Sequence, residues 1–267
     1  MPGPNLVARA GDRVDALVDR LLARLLRRRL YRVVQRRERE ASAAASTWNP
    51  VITAAQEDLI RRYAPGRSFA DIGCLWEVDG ACAFLAEEAG ASAVTAMDKW
   101  PPSELYLAEH ARRGSALRFV EGDLHDPETV REIGVHDVIW CSGVLYHTPD
   151  PVLAIGRLLE MTGEYLIAGT KTLPSVPGLP GLAAYYPGLS ERDRASYDAI
   201  ASAVSKAPFE PESFFANWFW GLTPEALAAI ARSKADVTVV EEIGLPWKQR
   251  ADDCYLVLRR SAPSTRH

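Results

Sequence analysis

The sequence lacks the features that would assign it to several specialised classes of protein. Its four cysteines form no Cys-x-x-Cys pair and no zinc-type spacing, so neither a disulfide scaffold nor a bound metal is expected. No apolar run approaches the roughly eighteen residues of a membrane span, and arginine interrupts the N-terminal apolar runs too early for a signal peptide. The sequence therefore predicts a soluble, cytoplasmic protein whose cysteines are reduced and buried.

Charge is weak overall but unevenly distributed. The formal net charge is −4 for 267 residues, yet residues 1–40 hold eleven arginines against five acids, a net of +6 that leaves −10 for the remainder. Apolar residues from Val14 to Leu25 recur with the three-and-four spacing of an amphipathic helix, which we predict over residues 12–40. We therefore expect residues 1–47 to form a basic helical extension.

Three roles remain open for this extension. It could pack on its own domain or on a second copy in a homodimer, lie on an anionic membrane surface, or contact RNA. The unbroken apolar stripe favours packing. A net charge of −10 on the rest of the chain would repel phosphates, so we expect no nucleic-acid partner.

Strands alternate with helices from Asp58 onward, the pattern of a parallel α/β sheet. The predicted strands are Ser68–Ile72, Ala93–Met97, Leu117–Val120, Val138–Cys141, Tyr165–Ala168, Val237–Glu241 and Cys254–Arg259. We therefore predict one domain over residues 48–267 with a seven-stranded, mostly parallel sheet. Residues 172–222 interrupt the alternation, because they are rich in proline, glycine and aromatic residues. We predict that they form a substrate cap inserted after the fifth strand.

Three predicted strands end in or near an acidic residue, and the first also ends in a glycine. Asp71 and Gly73 close the first strand, where a glycine lets the backbone approach a ligand and the next helix directs its free N–H groups at it. Asp98 closes the second strand, a position from which a carboxylate can accept both hydroxyls of a ribose. Asp123 follows the third strand and can reach an adenine amino group. Together these positions predict a nucleoside-binding crevice.

Over roughly residues 55–260 the sequence resembles the class I S-adenosylmethionine (SAM) dependent methyltransferases. The segments that carry the resemblance are Asp71-Ile72-Gly73-Cys74, Asp98, Gly122-Asp123-Leu124, and the run from Asp137 to His147 followed by Pro149-Asp150-Pro151. The last of these, with its Val-Leu-Tyr-His sequence, is similar both to small-molecule methyltransferases and to the tRNA wobble-uridine carboxymethyltransferase group. The resemblance implies a Rossmann-like fold, a methyltransferase activity and SAM as cofactor.

The resemblance also implies roles for individual residues. Residues expected to bind SAM are Asp71, Gly73, Cys74, Trp76, Asp98, Lys99, Asp123, Leu124 and Ser142. His147 is expected to act as a general base, with Tyr146 lining the catalytic pocket. Aromatic residues of the cap are expected to enclose the methyl acceptor and exclude water: Tyr185, Tyr186, Phe215, Trp218 and Trp220. The remaining histidines His110, His125 and His136 are predicted to lie on the surface.

One departure from the family pattern affects the cofactor site. Leu75 and Glu77 stand where the family usually has glycines, and side chains there are expected to crowd the methionine part of SAM. Gly80 would compensate if the backbone approached the cofactor later in the loop. The leading interpretation is a small-molecule methyltransferase with an apolar or aromatic acceptor. A tRNA-modifying transferase and a non-catalytic binding or scaffold protein of the same fold remain as alternatives.

Overall fold

A computed structural model describes residues 50, 52–76, 78–173, 175–179, 181–185, 219–247 and 251–261. The elements below belong to the compact unit formed by Pro50–Pro102 and Tyr106–His267, apart from the first residues of one helix. The predicted extension at residues 1–47 and most of the predicted cap at 172–222 lie outside the described residues. Both therefore stay predictions.

The described residues form nine strands and six α-helices. The strands are β1 Ser68–Ile72, β2 Ala93–Asp98, β3 Arg118–Glu121, β4 His136–Ser142, β5 Thr162–Thr172, β6 Ala183–Tyr185, β7 Trp220–Leu222, β8 Val237–Trp247 and β9 Ala251–Arg260. The helices are α1 Ala54–Tyr63, α2 Ala81–Glu88, α3 Glu104–Arg113, α4 Pro127–Ile133, α5 Pro151–Met161 and α6 Pro224–Lys234, and a 3-10 turn spans Leu145–His147. None of these helices is long and apolar enough to cross a membrane.

Seven of these strands form the predicted sheet, in the order β3-β2-β1-β4-β5-β9-β8. Strands β1 to β5 run parallel to their neighbours, whereas β9 is antiparallel to both β5 and β8. This confirms the Rossmann-like α/β fold. Because β1 and β4 are neighbours in the sheet but not in the chain, a crevice opens at their carboxyl ends, where ligands bind in folds of this kind.

Local sequence explains where the helices begin. Thr223 caps α6, since its hydroxyl accepts a hydrogen bond from the Ala226 N–H at 3.3 Å, and Pro224 occupies the first position, where no N–H is needed. Asp150 caps α5 by accepting from the Leu153 N–H at 2.9 Å. Because such caps are encoded within a few residues, most predicted boundaries lie within a few residues of the observed ones.

Two features were missed by the sequence analysis. Helix α1 begins with a capping box between Thr53 and Gln56, a local signal that was overlooked. The short hairpin of β6 and β7 joins residues 183–185 to residues 220–222, and it extends the sheet through one parallel pair, Thr172 with Leu222. No local pattern predicts that pairing, because the two strands lie far apart in the sequence.

Burial confirms the prediction for the cysteines and corrects it for one histidine. All four cysteines are free and buried. The His136 ring is also buried, with its Nε2 3.0 Å from the Thr95 hydroxyl, and His125 is partly buried between two hydrogen-bond partners. The prediction that His136 lies on the surface was wrong, because its ring packs against Thr95 of β2, 41 residues away in the sequence; His110 and His125 are both partly exposed.

Candidate active site

The end of β1 and the loop after β4 come into close contact at Gly73. This residue has φ +84°, a left-handed conformation, and a Cβ added there would lie 2.3 Å from Val144 Cγ2. The Gly73 N–H donates to the Met97 carbonyl at 2.8 Å. Glycine is therefore required by both the backbone conformation and the approach of the neighbouring loop.

The loop between β1 and α2 folds back on itself. The Gly80 N–H donates to the Cys74 carbonyl at 2.7 Å, and the Asp79 N–H donates to the Leu75 carbonyl at 3.0 Å. The Leu75 side chain is only 2% exposed, so the surrounding protein covers it. A Cβ on Gly80 would lie 2.5 Å from the ring of Tyr106, so this glycine is needed for side-chain packing. Glu77 lies outside the described residues.

Asp71 is held at the N-terminus of α2. Gly80 is the N-cap of that helix and provides no side-chain cap, and the Asp71 carboxylate instead accepts a hydrogen bond from the Ala83 N–H. Its Oδ2 is buried and has no hydrogen-bond partner among the described residues. Burial, with a smaller contribution from the charge of Asp98, raises the pKa of Asp71 to about 7.

Asp98 joins the two loops that border the crevice. Its Oδ2 accepts from the Leu75 N–H at 3.0 Å, and its Oδ1 accepts from the Trp100 N–H at 3.1 Å. The carboxyl group is buried with only 6% of the residue exposed. This is the strand-end position from which a carboxylate can accept both hydroxyls of a ribose.

Three other predicted cofactor residues flank this region. The Lys99 side chain is exposed, with its ammonium 5.4 Å from the centroid of the Trp100 ring. Trp76 is 46% exposed and thus offers a face to solvent or a ligand. Cys74, in contrast, has a buried side chain, and its N–H is already donated to the Met97 carbonyl at 3.1 Å.

Asp123 lies on the loop that follows β3. Its Oδ1 accepts both the His125 N–H at 2.8 Å and a hydrogen bond from the His125 ring, whose Nδ1 is 2.9 Å away. The hydrogen bond to the ring is the main cause that lowers the pKa of Asp123. Leu124 has a buried side chain, so it could face a ligand only through its backbone.

The loop after β4 carries the predicted catalytic residues. Tyr146 and His147 are partly exposed, with ring centroids 4.0 Å apart, and the His147 N–H donates to the Val144 carbonyl at 2.9 Å. Ser142 ends β4, and its hydroxyl lies 3.2 Å from the Tyr255 hydroxyl. Sequence reasoning missed Tyr255, because it stands 113 residues away in β9.

Part of the predicted cap contacts this loop directly. The Phe219 N–H donates to the Tyr146 carbonyl at 2.9 Å, and the Trp220 indole N–H donates to the Pro149 carbonyl at 3.0 Å. The rings of Tyr185 and Trp220 have centroids 4.8 Å apart. Two predicted acceptor-binding residues thus lie together beside the loop, while three others lie outside the described residues: Tyr186, Phe215 and Trp218.

These groups suit an adenosine-containing cofactor. Asp98 lies where a carboxylate can bind a ribose diol, and Asp123 Oδ2 accepts no hydrogen bond from the described residues. A cationic ligand such as SAM is favoured by this arrangement of carboxylates.

Known proteins agree with this description. Residues 70–163 match a family model described as a methyltransferase domain, whereas no curated protein sequence matches the chain. The fold is similar to the N-terminal domain of EvdMO1 with S-adenosylhomocysteine (SAH) bound, at 15% identity over 79% of this chain and 83% of that chain, with a TM-score of 0.54.

It is also similar to the 1,6-didemethyltoxoflavin-N1-methyltransferase of Burkholderia thailandensis, at 16% identity over 88% and 90% of the two chains, with a TM-score of 0.56. The [4+2]-cyclase SpnF has 13% identity over 81% and 84%, with a TM-score of 0.52. At such identities the likeness concerns the fold alone. Together with the match of residues 70–163 to the family model, this likeness shows that the chain carries a methyltransferase-like domain.

Proposed function

We propose that this protein transfers the methyl group of SAM to a small apolar or aromatic acceptor, held between the loop after β4 and the cap. The observation that carries the proposal is the pair of hydrogen bonds between them, from Phe219 to Tyr146 and from Trp220 to Pro149. These bonds hold the paired rings of Tyr185 and Trp220 beside the predicted catalytic turn. Aromatic walls of this kind favour a lipophilic acceptor and exclude water.

The chain's own residues mainly bind and orient in this reaction. When bound, SAM would supply the methyl group of its sulfonium. The rest of the cofactor is then the leaving group, a neutral thioether. Asp98 would accept hydrogen bonds from the ribose hydroxyls, and Asp123 would accept one from the adenine amino group through Oδ2. The rate enhancement then comes mostly from alignment of the acceptor with the methyl group.

His147 is the proposed general base for a hydroxyl or amine acceptor. Such an acceptor loses a proton during transfer, and an imidazole with an ordinary pKa of about 6.5 can take it near neutral pH. His147 is partly exposed, and its ring centroid lies 4.0 Å from that of Tyr146. This proposal requires the neutral form of the ring.

The first experiment is calorimetry with SAH and SAM, followed by incubation with radiolabelled SAM and either a panel of small aromatic acceptors or tRNA. We expect SAH to bind and label to transfer to at least one acceptor, with Asp98→Ala as a control that binds SAH more weakly and transfers less label. SAH binding without transfer to any small molecule or tRNA would support the scaffold alternative. Transfer only to tRNA would support the wobble-uridine alternative. The transfer assay is needed in addition to calorimetry, because a [4+2]-cyclase has a similar fold.

A further inference from the structure

A chain of three side chains connects the end of β3 to the loop after β4. The His125 Nδ1 is 2.9 Å from Asp123 Oδ1, and the His125 Nε2 is 2.6 Å from the Thr148 hydroxyl. Thr148 directly follows His147 and also accepts from the Asp150 N–H at 3.3 Å. One imidazole therefore contacts both the adenine side and the catalytic side of the crevice.

The proton positions follow from the chemistry of the partners. A carboxylate only accepts, so His125 Nδ1 must carry a proton toward Asp123. In the neutral ring, Nε2 then accepts from the Thr148 hydroxyl, and in the protonated ring it donates to the same oxygen. Both hydrogen bonds therefore persist on either side of the histidine pKa, which Asp123 raises.

This arrangement fixes which oxygen of Asp123 is available to a ligand. The backbone and the ring of His125 both donate to Oδ1, and no described residue donates to Oδ2. The Asp123 side chain is 59% exposed, so without these two bonds it could turn about its χ angles. A carboxylate with one oxygen held in place presents the other in a single orientation.

The sequence of groups Asp-His-Thr has the order of a nucleophilic triad, but Thr148 does not fit a nucleophile. It is only 3% exposed, and its hydroxyl already has two partners, His125 and the Asp150 N–H. The three residues are therefore suited to holding the two loops in register rather than to attacking a substrate.

We propose that His125 is a positioning residue, which orients Asp123 toward the adenine amino group and ties that orientation to the loop that carries His147. The inference rests on the proposed function, because it takes SAM as the ligand of Asp123. It adds a specificity role for a residue that contacts neither the reacting methyl group nor the acceptor.

The test measures binding of SAH and of S-inosylhomocysteine, in which an oxo group replaces the adenine amino group. We expect the parent to prefer SAH, because a fixed carboxylate accepts from an amino group and repels an oxo group. His125→Ala should weaken SAH binding about tenfold, the loss of one charge-assisted hydrogen bond, and bring the ratio of the two dissociation constants toward one. Thr148→Val should reproduce part of this effect.

Two further variants separate positioning from general stability. His125→Asn keeps a donor near the Nδ1 position and should restore most of the preference for SAH. His110→Ala is the matched control, since that ring hydrogen-bonds the Leu117 backbone carbonyl at 3.1 Å and packs against the rings of Phe84 and Tyr106. The variant should lower the melting temperature without changing the ratio.

The outcomes can be told apart. If His125→Ala and Thr148→Val both keep the parent's ratio, or lose affinity for both ligands equally, the positioning role is overturned. If His125→Ala fails to fold, Thr148→Val and His125→Asn decide the question by the same ratio. If the parent itself binds no SAH, the proposed function fails first, and this inference fails with it.

Discussion

Replacing Asp71 by asparagine changes the charge of a fully buried group while keeping an acceptor for the Ala83 N–H. Asp71 is 2% exposed, and its pKa rises from 3.8 to about 7 in the folded protein. The folded state therefore binds more protons than the unfolded state between these two pH values. The free energy of unfolding should fall as the pH rises through that window, and Asp71 should contribute no further slope above it.

The size of the effect follows from the shift. A shift of about three units, at about 1.36 kcal/mol per unit, corresponds to about 4 kcal/mol as an upper bound. Relaxation and water penetration around a real buried charge reduce this figure, and we expect about 1–3 kcal/mol. Asp71→Asn removes this pH-dependent cost. The asparagine side-chain N–H would lie where Oδ2 of Asp71 has no partner. This lowers the free energy of unfolding of the variant by an amount that does not depend on pH.

The assay is urea denaturation of the ligand-free protein at pH 5, 6, 7 and 8, monitored by circular dichroism. The difference in unfolding free energy between Asp71→Asn and the parent should shift in favour of the variant as the pH rises. Asp137→Asn is the control. The Ser68 N–H and hydroxyl lower the pKa of Asp137, so its effect should stay constant from pH 5 to 8. Parallel curves for Asp71→Asn and the parent would refute the reasoning.

Three further results are expected. Asp98→Ala should weaken SAH binding by about tenfold to a hundredfold in calorimetry, because charge-assisted contacts to the ribose are lost; unchanged affinity in a folded variant would remove the assignment. His147→Ala should lower turnover by about 10²–10⁴-fold with SAM affinity nearly intact. His147→Gln separates positioning from proton transfer, because glutamine can hydrogen-bond but cannot take up the proton. Turnover within about threefold of the parent in both variants would make His147 structural. Gly73→Ala should lower the melting temperature, since its Cβ would lie 2.3 Å from Val144, and Val144→Ala should restore part of the loss; no loss would contradict the packing argument.

The sequence by itself determined the order of elements and the class of fold. Hydrophobic periodicity, helix caps such as Thr223, and an acid at the end of β2 are encoded within a few residues, so they can be recognised without a structure. The same local signals placed Asp98 and Asp123 at strand ends. Because parallel strands share one edge, their proximity followed from topology alone.

The tertiary structure decided what each of these residues contacts. Leu75 fell where a glycine was expected, yet its side chain is covered by protein. Asp71 caps a helix that begins ten residues later, and His125 reaches Thr148 across 23 residues. Contacts of this kind depend on how segments pack after the sheet has formed. Burial and side-chain partners are properties of that packing, whereas periodicity and caps are properties of the chain over a few residues.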